Sequence, residues 1–257
     1  MAIAFNLPML GMVARSLAAP DLTLGAYAEI VESPIYFRVI LSTIKIALIA
    51  TIACALLGYP LAYWMRGLAP RAQMLVVALV VLPFWISVLI RTYAWIVMLG
   101  SAGIVNGTLL HLGLIDKPIQ FLYNETGVTI GVVNVLLPFL VLPLFAAMLK
   151  IDDRLLQAAA VLGAEPWAVF RRVFFPLTLP ALAAGSILVF VMTLGFYVTP
   201  AILGGGRVPM IVNMLDLLIN RMPQWELASA LSVLLLALTL ASYWLSKRLS
   251  SGGGIAG

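Results

Sequence analysis

Residues 155–180 read LLQAAAVLGAEPWAVFRRVFFPLTLP and stand between two long apolar segments. The spacing predicts a short helix over 154–162 capped by Asp152 or Asp153, a left-handed stop at Gly163, and a second short helix over 166–173 opened by Pro166. Ala158, Ala159 and Ala160 leave one surface of the first helix nearly flat, which lets a partner approach closely. Pro176 and Pro180 are expected to bend the chain as it enters the next apolar segment. A loop of this build suits docking against another protein better than chemistry on a small molecule. Two helices joined by a stiff Gly-x-x-Pro elbow can pass a push from outside the membrane into a span. An ordinary loop with two amphipathic helices is the other reading of the same residues.

The apolar flanks of that loop extend to most of the chain. Of 257 residues 63% are hydrophobic and only 10% charged, with a mean hydropathy of +1.12. A soluble domain could not cover its surface with so little charge, which leaves a polytopic membrane protein. Charge-free windows cover 46–65, 72–90, 126–149, 173–206 and 227–246, and about 20 apolar residues cross a bilayer core. The expected fold is all-α: a polytopic membrane helical bundle of five full spans over 39–65, 72–99, 126–149, 173–203 and 227–245, plus a partial first span. Residues 1–37 hold that partial span, interrupted by Pro8 and Arg15, and an outer connection; an interfacial helix is the alternative for 1–17. Residues 38–248 form the membrane domain, with the docking loop at 150–176, and 249–257 (glycine-rich) a flexible tail. Residues 100–125 carry Gly103, Gly107, Gly113 and Pro118, too broken for a full span.

Basic residues alternate with the spans: Arg66 and Arg71, then Lys150, Arg154, Arg171 and Arg172, then Lys247 and Arg248. Excess Lys and Arg in short loops marks the cytoplasmic side, so the C-terminus is expected inside. The opposite loops hold Asp21, Glu29, Glu32, Asp116, Glu125, Asp216 and Glu226. The net charge of +5 follows from this topology and calls for no nucleic acid. Cys54 is the only cysteine and reads as a small mid-span filler, and His111, the only histidine, as a solvated loop residue. The chain has no Gly-x-x-x-x-Gly-Lys-Ser/Thr stretch and so no P-loop for ATP.

Gln157-Ala158-Ala159, then Gly163, then Val173-x-Phe175-Pro176 resembles the EAA loop of binding-protein-dependent ABC importer permeases: Glu-Ala-Ala, three residues, Gly, nine residues, Ile-x-Leu-Pro. Gln157 stands for the usual glutamate, and Val173 and Phe175 for Ile and Leu. The runs Gly58-Tyr59-Pro60-Leu61-Ala62, Pro83-Phe84-Trp85-x-Ser87-x-Leu89-Ile90-Arg91-x-Tyr93 and Leu136-Leu137-Pro138-Phe139 look like the PotB-type spermidine/putrescine branch of that family. The resemblance implies the type I ABC importer transmembrane domain in the bacterial inner membrane. It implies Gln157, Ala158, Ala159, Gly163, Ala164, Pro166 and Trp167 as the segment coupled to an ATPase. It further implies partners: a second homologous permease, two ATPase subunits, a substrate-binding protein and the lipid bilayer. ATP and Mg would belong to the ATPase, leaving this chain no cofactor, no metal and no catalytic residue.

A translocation path needs polar or aromatic side chains facing inward. The candidates are Trp85, Ser87, Arg91, Tyr93, Asn134, Thr193, Tyr197 and Asp216. Aromatics there could hold an amine by cation–π contact, or act as interfacial anchors. In a straight third span Arg91 would lie about 28 Å along, near the outer interface. Lys45 and Arg91 could both snorkel to the outer headgroups, or shape the mouth of the path and pair with an acid on a partner. No carboxylate lies in the middle of a span, which suits substrate selection on another subunit. A secondary transporter or channel acting without an ATPase would want a mid-span ion relay, and an intramembrane enzyme a buried nucleophile–base pair; these are the weaker readings.

Overall fold

The computed structural model describes residues 2–17 and 23–251. Helix α1 covers Ala2–Ser16, α2 Gly25–Glu32, α3 Pro34–Arg66 and α4 Pro70–Val81, the last running into a 3-10 turn at Leu82–Trp85. Then come α5 (Val88–Leu99), α6 (Ile104–His111), α7 (Glu125–Leu149), α8 (Asp153–Val161) and α9 (Pro166–Val169). A π turn at Phe170–Phe174 leads into α10 (Phe175–Leu194), followed by α11 (Val198–Leu203), α12 (Ile211–Asp216), a second π turn at Leu217–Arg221, and α13 (Trp225–Ser251). The expected outer connection at 18–22, with Asp21, and the tail at 252–257 lie outside the described residues. Residues 249–251 of the expected tail continue α13.

Helices α3, α7 and α10 make the centre, where Ile46, Ala50, Cys54, Leu136, Leu140, Leu144 and Val189 are buried together. Hydrocarbon surrounds such a bundle, so apolar burial drives its helices together only weakly and close approach must carry the packing. Small residues provide it. A Cβ on Gly58 would stand 2.7 Å from Leu140 and 3.1 Å from Val141. A second cluster joins α2, the first turns of α3, α12 and α13 through Ile30, Tyr36, Val39, Ile211, Leu218 and Leu231. Helix α1 packs along α13, where Arg15 lies 5.6 Å from the Trp225 ring.

Two polar ties define the ends of the bundle. At one end Arg66 Nε donates to the Met148 carbonyl (3.1 Å). At the other Lys45 Nζ pairs with Glu125 at 2.6 Å, in the first turn of α7 where a carboxylate complements the helix dipole. Between Lys45 and Arg66 the helix rises about 31 Å at ~1.5 Å per residue, the depth of a hydrocarbon core. Lys45 thus finds its acid within this chain.

Among the described residues five segments are long and apolar enough to cross a membrane: Pro34–Arg66, Val88–His111, Glu125–Leu149, Pro166–Leu194 and Trp225–Trp244, with the shorter Pro70–Trp85 ahead of the second. The expected third span, 72–99, is not one helix. Pro83 has no N–H to continue the ladder, and Ile86 and Ser87 are extended (ψ 128° and 137°). The break lies at membrane depth. Phe84 meets Phe139, about 21 Å along α7 from Glu125, whereas Thr92 bonds Thr199, which packs on Gly131 only about 9 Å from it. Arg91 therefore sits about 9 Å inside the Lys45–Glu125 level rather than at the interface. The expected fifth span, 173–203, also differs: α10 stops at Leu194, Gly195 through Tyr197 turn the chain, and α11 returns to pack on α5 and α7.

In the expected loop 100–125, Asn106 is buried and satisfies both ends of its amide. Its Nδ2 donates to the carbonyls of Gly100 (3.0 Å) and Ile119 (2.9 Å), while Oδ1 accepts from the Ile119 N–H (2.8 Å). His111 ends α6 and is exposed.

Candidate functional site

Helix α8 starts where the Asp152 carboxylate accepts the Arg154 N–H at 2.9 Å. It ends in a Schellman closure: Gly163 N–H to Ala160 (3.0 Å) and Ala164 N–H to Ala159 (3.1 Å), with Gly163 at φ +84°. A Cβ at Gly163 would touch nothing within 4 Å, so the left-handed backbone alone requires glycine there. Gln157, Ala158, Gly163, Pro166 and Trp167 are exposed, and Ala159 and Ala164 half-buried. Val161 and Leu162 are each 87% exposed, and Leu155 and Trp167 are exposed as well. Exposed apolar surface of this kind marks a protein contact.

The second docking helix expected over 166–173 is not separate. α9 widens into the π turn, where the Phe175 N–H reaches back to Phe170, and continues as α10 through Leu194. The wide turn accommodates Pro176, which has no N–H of its own to bond. Beneath the turn lies an aromatic wedge. Tyr63 meets Phe170 and Phe174 edge-on at 5.4 and 5.2 Å, Tyr59 meets Phe175 at 5.6 Å, and Trp167 stacks on Phe170 at 5.5 Å. Tyr59 also exchanges a hydrogen bond with Thr178 (3.0 Å). Arg66 closes the assembly: its guanidinium stands 5.0 Å from the Phe174 ring, pairs with Asp153 at the start of α8, and holds the end of α7. Sequence reasoning passed over Arg66 and the wedge. The signal was present, because Tyr59, Tyr63 and Arg66 fall at i, i+4 and i+7 on one face of α3.

The path candidates divide. Trp85 (81% exposed) and Ser87 sit at the α4–α5 break and Tyr93 is exposed one turn later. Arg91 Nε is shielded from solvent without a hydrogen-bond partner. Asn134 lies exposed on α7, about 13 Å along from Glu125. Thr193 is buried and spends its hydroxyl on the Val189 carbonyl of its own helix (2.7 Å). The neighbouring Asp216 carboxylate holds the Tyr197 phenol above the ordinary tyrosine range, and the Tyr197 carbonyl accepts from Asn213 Nδ2 at 3.2 Å. Together with Asn213 and Arg221, Tyr197 and Asp216 line a cavity of about 350 Å³ at the Lys45–Glu125 end.

The model for the "binding-protein-dependent transport system inner membrane component" family matches residues 22–251. The chain belongs to this family. The permease is 37% identical over 230 residues to the spermidine/putrescine transport system permease protein PotB of Escherichia coli K12, covering 88% of this chain and 83% of that protein. It is 40% identical over 222 residues to PotB of Haemophilus influenzae (84% and 77% covered). To the putative 2-aminoethylphosphonate transport system permease protein PhnU of Salmonella typhimurium it is 34% identical over 200 residues (75% and 68%). The fold matches a bacterial alginate ABC transporter chain with a TM-score of 0.76 at 19% identity, covering 95% of this chain and 89% of that one. A chain of the MetNI methionine ABC transporter matches with a TM-score of 0.60 at 17% identity (85% and 95% covered). The permease is thus a multi-pass inner-membrane component of an ABC importer, built on the transmembrane fold of ABC transporters.

Proposed function

We propose that the permease carries a small amine, a polyamine or a related amino acid derivative, and that a separate ATPase drives it through α8. The observation that supports the coupling role is the Arg66 junction. The exposed apolar surface of α8 is fastened, through one guanidinium and an aromatic wedge, to α3, α7 and α10 at once. A displacement of α8 is thereby shared among three spans. Gln157, Ala158, Ala159, Gly163, Ala164, Pro166 and Trp167 form the gripped surface. Lys150, Arg154, Arg171 and Arg172 put this end in the cytoplasm, and α13 returns the C-terminus to the same side.

A second permease covers the break at Ile86–Ser87 and completes the path with Trp85, Ser87, Arg91, Tyr93 and Asn134. A substrate-binding protein docks at the Lys45–Glu125 end, and ATP with Mg belongs to the two ATPase subunits. ATP binding favours the state in which the coupling segments approach and the path faces outward; hydrolysis resets it. The amine assignment rests on the relatives' names, spermidine/putrescine and 2-aminoethylphosphonate, which share a primary ammonium. The test is a co-reconstituted importer carrying A158C and a single cysteine on the ATPase. Expected are a disulfide between the two chains and hydrolysis stimulated by loaded binding protein. Absence of both would defeat the proposal.

A further inference from the structure

The cavity near Tyr197 has the chemistry of a binding site. Asn213 and Asp216 lie three apart on α12 and face the same side, toward Tyr197 at the start of α11. Asn213 Nδ2 donates to the Tyr197 carbonyl (3.2 Å), which turns its Oδ1 away; that oxygen is shielded from solvent and accepts no hydrogen bond. The Asp216 carboxylate accepts from Asn220 Nδ2 (2.7 Å) and lines the same cavity as Tyr197. A carboxylate offers about four lone-pair sites, so acceptor capacity stays open. Arg221 borders the same cavity, yet the ion pairs among the described residues are Lys45–Glu125 and Arg66–Asp153, and Asp216 is in neither. The Asp216 carboxylate and the Tyr197 ring therefore share the cavity lining with the Arg221 guanidinium.

We propose that this cavity binds the primary ammonium of the transported solute at the mouth of the path, through Asp216 and the face of Tyr197. The assignment rests on the amine-importer reading and narrows it. An ammonium can donate to the open sites of the Asp216 carboxylate, and the Tyr197 ring adds cation–π attraction. Arg221 sets what stands behind the ammonium. A second positive charge there meets repulsion, whereas a carboxylate or phosphonate meets a fork of donors.

The experiment titrates putrescine, 4-aminobutyrate and glutarate into the complete importer in nanodiscs, without binding protein, by calorimetry. Both amines are expected to bind saturably, 4-aminobutyrate more tightly, and glutarate not to bind. D216N should weaken both amines at least tenfold. Y197L, which removes the aromatic face, should weaken them several-fold and covers the case in which D216N does not assemble. Equal affinity of wild type and either assembled variant, or glutarate binding like the amines, would overturn the ammonium site. Putrescine binding more tightly than 4-aminobutyrate would overturn the role of Arg221. Hydrolysis by the wild-type importer, stimulated by its loaded binding protein, reports separately on whether the chain works as a permease at all.

Discussion

Arg66 is the residue whose removal tests the coupling geometry most directly. Its side chain is only 18% exposed and makes three contacts of different strength. The charged hydrogen bond to the Met148 carbonyl contributes about 1.5 kcal/mol or more. The cation–π contact with Phe174 adds about 1 kcal/mol. The pair with Asp153, whose side chain is 71% exposed, adds about 0.5 kcal/mol because water screens it. Arg66→Ala should thus cost about 3 kcal/mol, and Arg66→Lys about half, since an ammonium keeps charge but cannot place both the Nε bond and the ring contact. A double-mutant cycle with Phe174→Leu should return a coupling near 1 kcal/mol, larger than the cycle with Asp153→Asn. The assay pairs thermal unfolding of the purified chain with solute imported per ATP hydrolysed in proteoliposomes. R66K should lower that ratio by severalfold while the subunits remain assembled. An unchanged ratio in R66A, with an unchanged melting temperature, would refute the idea that one guanidinium ties the docking segment to the spans.

Gly163→Val forces a β-branched residue to φ +84°, at a cost of about 1–3 kcal/mol; membrane insertion should persist while uptake is lost, measured by pulldown with the ATPase and by transport. Gly131→Val drives a side chain into Leu203 and Thr199, which would lie 2.5 Å from its Cβ, and should destabilise by about 1–3 kcal/mol in a thermal unfolding assay. Asn106→Leu strands two carbonyls and one N–H, and should cost about 3 kcal/mol and open the 100–119 segment to limited proteolysis. Arg91→Met removes a guanidinium whose Nε has no partner. The isolated chain should melt no lower, and the assembled importer should lose uptake; a large stability loss in the isolated chain would mean that Arg91 is satisfied within it.

Much of this was legible because membrane residence limits the options. Charge-free windows gave the span positions, and Asp152, Gly163 and Pro166 announced the start of α8, its left-handed stop and the start of α9. The interruptions escaped because hydropathy is blind to backbone direction: Leu82 through Leu99 stays apolar across an extended dipeptide, and 173–206 stays uncharged across the turn at Gly195. Lys45–Glu125 and Arg66–Asp153 join residues 80 and 87 positions apart, which no local pattern signals. Tyr197 and Asp216 were each visible as candidates, but their meeting depends on α12 folding back beside the start of α11. Thr193 was a reasonable polar candidate until its hydroxyl proved committed to Val189.

The dipeptide Ile86–Ser87 has a consequence for the polypeptide on its own. It leaves α5 to begin within the bilayer with Ser87 making no side-chain cap, so the N–H groups of its first turn gain no partner from that side chain. Lipid tails offer them nothing to bond, and irregular backbone is tolerated there only against protein or water. On the two-permease reading proposed above, a copy made without its mate is unfinished, because those groups stay uncovered.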